Sequence, residues 1–67
     1  MKYTKIVACN IAITVDTLDE ESLKATIKKL EVALSQPGTS PEEYFKLEDE
    51  IIYLKNCLND LKNQPET

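Results

Sequence analysis

The sequence predicts a mainly α domain with a short β element: an N-terminal strand followed by an antiparallel two-helix hairpin, β-α-α, closed as a dimer. Three observations predict it. Apolar residues alternate with period two over the first sixteen positions, two stretches repeat apolar residues at spacings of three and four, and a Pro-Gly break separates those stretches. The whole chain of 67 residues is treated as one small domain.

The strand is read over residues 3–16. Its odd positions Tyr3, Val7, Cys9, Ile11, Ile13 and Val15 are apolar, with Lys5 the interruption. Its even positions are small or polar, with Ile6 the exception. β-branched enrichment favours a strand over a helix. Asn10 offers a place for a hairpin break, although no Gly follows it. Ile6-Val7-Ala8-Cys9 resembles a lipoprotein cleavage box. Only three apolar residues separate Lys5 from Cys9, far short of the ~7–15 that a signal requires, so a cytoplasmic chain is expected.

The first helix is expected over residues 20–35. Asp19 is its cap, Leu18 and Leu23 are placed as a hydrophobic staple, and Leu23, Ile27, Leu30 and Leu34 form its stripe. Pro37 and Gly38 end it. Ser40-Pro41-Glu42-Glu43 then reads as a capping box with Pro at the first helical position. The second helix, residues 41–63, carries Tyr44, Leu47, Ile51, Leu54, Leu58 and Leu61 as a coiled-coil seam. Pro65 stops it, leaving 64–67 as a frayed tail.

A short connection makes the helices antiparallel neighbours. The expected register sets Leu34 opposite Tyr44, Leu30 near Leu47, Ile27 near Ile51 and Leu23 near Leu54. Leu58 and Leu61 then overhang the first helix. A lone strand also leaves backbone groups unpaired, so a homodimer sharing strands or helices is expected.

Composition narrows function. Eight Lys against twelve Asp and Glu give a net charge of −4, with no Arg, His or Trp. The acidic balance repels nucleic acid and anionic lipid, and the missing residue types are the usual phosphate ligand, general base and zinc ligand. No catalytic, cofactor or metal site is expected. Cys9 and Cys57 read as small buried thiols in a reducing compartment.

Glu48, Asp49 and Glu50 form an acidic run on the second helix, read as a solvated face with Lys46 pairing Glu42 and Glu50. Phe45 and Ile52 lie outside the seam, seven residues apart, and Tyr53 adds apolar area beside them. Phe45, Glu48, Asp49, Ile52 and Tyr53 are therefore the candidate partner-binding residues. The expected function is a non-catalytic adaptor or inhibitor that binds itself and another protein. An acidic inhibitor mimicking nucleic-acid phosphates is an alternative.

The run from Ile11–Val15 through Leu18-Asp19-Glu20-Glu21 to Ser40-Pro41-Glu42-Glu43 resembles the ribbon-helix-helix repressors. That resemblance implies an intersubunit strand ribbon that reads DNA and a transcriptional regulator as the rival function. The outward strand positions Asn10, Ala12 and Thr14 carry no base-reading cation. Thr39-Ser40-Pro41-Glu42 and the helix after it are similar to the helical-hairpin phosphatases of sporulation signalling. The acidic signature of that family's helix is replaced here by Leu47-Glu48-Asp49-Glu50-Ile51, so no catalytic residue carries over.

Overall fold

The computed structural model describes residues 2–8 and 11–63. Strands β1 (Lys2–Ala8) and β2 (Ile11–Asp16) are followed by helices α1 (Glu20–Leu34) and α2 (Pro41–Lys62). The expected single strand is thus two. β1 and β2 pair antiparallel within the chain, with Lys2 opposite Asp16, Thr4 opposite Thr14 and Ile6 opposite Ala12. Asn10, the residue read as a possible break, lies with Cys9 and 64–67 outside the described residues.

The physical reason for the misreading is parity. The pairing sets odd residues against odd ones, as in Tyr3 with Val15 and Lys5 with Ile13. Period two therefore runs through both strands without a phase change, and alternation alone cannot mark the turn. An irregularity between Ile6 and Ala8 then shifts the register so that Ala8 faces Ile11. Both Val7 and Ala8 are buried there, while Ile6 stays outside.

The inner face of the hairpin lies on the helices, β1 against α2 and β2 against α1. Val7, Ala8, Ile13 and Val15 join Leu23, Ile27, Leu30, Leu47, Ile51 and Leu54 in one core. Asp19 and Ser40 cap α1 and α2, accepting from the amides of Glu21 and Glu43. Pro41 opens α2. Gly38 turns the connection at φ +89°, a left-handed conformation that suits glycine. The staple is not made: Leu23 is buried while Leu18 is 69% exposed.

Thr39 Oγ1 donates to the Ala33 carbonyl at 3.3 Å, which returns the chain to the end of α1 before α2 starts. Glu31 pairs with Lys55 at 3.5 Å and Glu20 with Lys62 at 3.8 Å across the helix pair. Tyr44, expected in the seam, is 40% exposed, and Leu58 and Leu61, expected to overhang, are half-buried against the core. Cys57 packs there too, as a free, half-buried thiol.

Candidate functional site

Two features of α2 stand out, and they lie on different sides of the helix. The first is an outward ridge. Residues seven apart on a helix fall on one face, and Phe45 and Ile52 occupy the face opposite Leu47, Ile51 and Leu54. Phe45 is 62% exposed and Ile52 is 50% exposed. The Tyr44 ring meets Phe45 edge to face, centroids 6.2 Å apart, which steadies the N-terminal end of the ridge. Asp49 is exposed and Glu48 half-buried beside it.

The second is a cleft of about 530 Å³ between β1 and α2, lined by Tyr3, Lys5, Thr17, Asp49, Glu50 and Tyr53. Its floor departs from the expected solvated acidic face. Glu50 is only 5% exposed. The Tyr3 hydroxyl donates to its Oε2 at 2.8 Å and Lys5 Nζ donates to its Oε1 at 2.7 Å. Lys5, not Lys46, is the ion-pair partner of Glu50. A buried carboxylate is costly unless both oxygens are satisfied, and here both are. The Lys5 side chain remains half exposed, so water screens that pair. The arrangement latches β1 to α2.

The Tyr3 phenol is held well above its ordinary pKa by burial and by its hydrogen bond to the Glu50 carboxylate. Tyr53 at the mouth is also raised, first by its hydrogen bond with the Cys57 thiol one turn on. Asp16, at the end of β2, is held low because its carboxylate accepts from the Leu18 amide at 3.0 Å.

The five candidate residues are therefore divided by the fold. Phe45 and Ile52 form the ridge with Glu48 beside them, whereas Asp49 and Tyr53 border the cleft. Compared with known protein families, curated proteins and solved structures, the chain matches none. Its reading rests on its own chemistry.

Tyr3, Lys5 and Glu50 were not singled out as a group by sequence. A signal for them exists. Lys5 is the one charge on the apolar face of β1, and Glu50 stands within the Leu47–Ile51–Leu54 stripe of α2. Opposite charges on two apolar faces are a reason to bring those faces together. Among the described residues, no three His, Cys, Asp or Glu side chains are placed to hold a metal ion, and no helix is long and apolar enough to cross a membrane.

Proposed function

We propose that this chain is a non-catalytic, cytoplasmic protein-interaction module, an adaptor or inhibitor, that engages another protein through the outward ridge of α2. The single observation behind this reading is the exposure of Phe45 and Ile52, one above the other on a well-formed helix. Each contributes about 1.5–3 kcal/mol when fully covered by a partner, which is the scale of an interface anchor. Glu48 and Asp49 supply an acidic rim, so the fitting partner presents an apolar groove bordered by Lys or Arg. The net charge of −4 also favours a protein over a nucleic acid as that partner.

The test places a photo-crosslinking amino acid at position 52 and, as a control, at Val32 on the outward side of α1. A protein captured only from position 52 is purified and titrated against wild type, Phe45→Glu and Ile52→Glu. The reading expects at least about a tenfold loss for each variant, corresponding to 1.4 kcal/mol. Equal binding by all three removes the ridge from consideration.

A further inference from the structure

The cleft between β1 and α2 has the dimensions of a small-ligand site. Its volume of about 530 Å³ lies within the roughly 300–1,000 Å³ over which proteins enclose such molecules. Its walls are also held in advance. Tyr3 and Lys5 of β1 both bond to the Glu50 carboxylate of α2, at 2.8 and 2.7 Å. A ligand entering beside them therefore orders little that folding has not already ordered.

The lining selects by charge. Two carboxylates, Asp49 and Glu50, stand against one ammonium, Lys5, and that ammonium is already paired with Glu50. The phenols act in the same direction. Tyr3 gives its proton to Glu50, so what it offers a ligand is an electron-rich ring and the lone pairs of its oxygen. Tyr53 is hydrogen-bonded to the Cys57 thiol one turn on, and its side chain is half in the open at the mouth. An anion meets repulsion from Asp49 and from the ring faces, whereas a cation is attracted by both. The net charge of −4 adds a long-range attraction of the same sign.

We propose that the cleft binds an organic ammonium, a protonated or quaternary amine on a short stem, with its charge beside Asp49 and the Tyr3 and Tyr53 rings as its walls. Aromatic walls suit this ligand better than a bare metal ion, because they reward the apolar substituents around the nitrogen as well as its charge. The same group is carried by free amines and by the lysine side chains of proteins. Phe45 and Ile52 lie on a different side of α2 and take no part, so the site stands or falls separately from the ridge reading.

Choline is the probe, and its control is the neutral alcohol of the same shape in which carbon replaces nitrogen. Each is titrated into the isotopically labelled full chain and followed through the amide shifts in NMR spectra. Choline should give saturable shifts at Tyr3, Lys5, Asp49 and Tyr53, and bind at least about tenfold more tightly than the alcohol. This comparison needs no variant. Asp49→Asn and Tyr53→Leu, both at exposed positions, should each weaken choline about threefold or more while changing the alcohol less. A capped trimethyllysine separates the two sources: tighter binding than choline assigns the cleft to a protein side chain, weaker binding to a free amine, and either result upholds the site. Equal binding of choline and the alcohol overturns the proposal, as does tighter binding of acetate or the absence of any saturable shift. Shifts centred on Phe45 and Ile52, or selectivity that survives both substitutions, overturn it too.

Discussion

α1 and α2 solve the same folding problem with different amounts of apolar surface. α1 hides Leu23, Ile27 and Leu30 and leaves one large apolar residue, Val32, in the open. α2 hides Leu47, Ile51 and Leu54 and still exposes Tyr44, Phe45, Ile52 and Tyr53. The first helix is amphipathic in the ordinary way, with one stripe for one core. The second carries a stripe for the core and a further set that the core does not use. Surplus of that kind separates what folding requires from what recognition can use, and substitution on each side of α2 measures the separation.

The largest contrast is between Leu54 and Ile52. Leu54 is fully enclosed, so Leu54→Ala is expected to cost about 2–5 kcal/mol, enough to unfold much of a domain this small. Ile52→Ala, two residues away, should move stability by no more than about 0.5 kcal/mol. Urea denaturation of both variants checks this. A large loss at Ile52 would mean that the ridge is part of the fold.

The acidic run gives the next contrast. Asp49→Ala removes an exposed charge and should be nearly neutral. Glu50→Ala takes the acceptor from Tyr3 and Lys5 and is expected to cost about 1–3 kcal/mol. Equal effects would show that the latch contributes nothing. Below these comes Ser40→Ala at about 1 kcal/mol, because the Glu43 amide loses its acceptor at the start of the longer helix. Thermal melts of that variant against Asp19→Ala compare the two caps directly, since the Asp19 side chain serves α1 in the same way.

These contrasts also mark how far the sequence could be read. Both helices, their caps and the exposure of Phe45, Ile52 and Tyr53 follow from periodicity and local chemistry, which act within a turn or two of chain. The hairpin within β1 and β2 was hidden because its pairing preserves odd–even parity. Glu50 shows the same limit in the candidate site. Its neighbours Glu48 and Asp49 have the same charge; helix periodicity sets Glu50 in the buried stripe, but that Tyr3 and Lys5 meet it there depends on how β1 lies on α2.

The last contrast is one of pH and belongs to Tyr3, and there the sign carries the information. Burial and the Glu50 carboxylate both oppose phenolate formation, so the folded pKa lies above the ordinary value of 10.0. A group raised on folding contributes its stability in full below the unfolded pKa and loses it as pH climbs toward the folded one. Stability should therefore be flat through neutrality with respect to this residue and decline once pH passes about 10. Tyr3→Phe removes the titrating group and should flatten that alkaline slope, at the expense of one hydrogen bond. Tyr53→Phe is the matched control, because its phenol is also raised but sits in the open and bonds to Cys57 rather than to Glu50. Urea titrations between pH 8 and pH 11 on the two variants distinguish them. If Tyr53→Phe flattens the slope and Tyr3→Phe leaves it intact, the Tyr3–Glu50 contact does not hold β1 to α2 in solution.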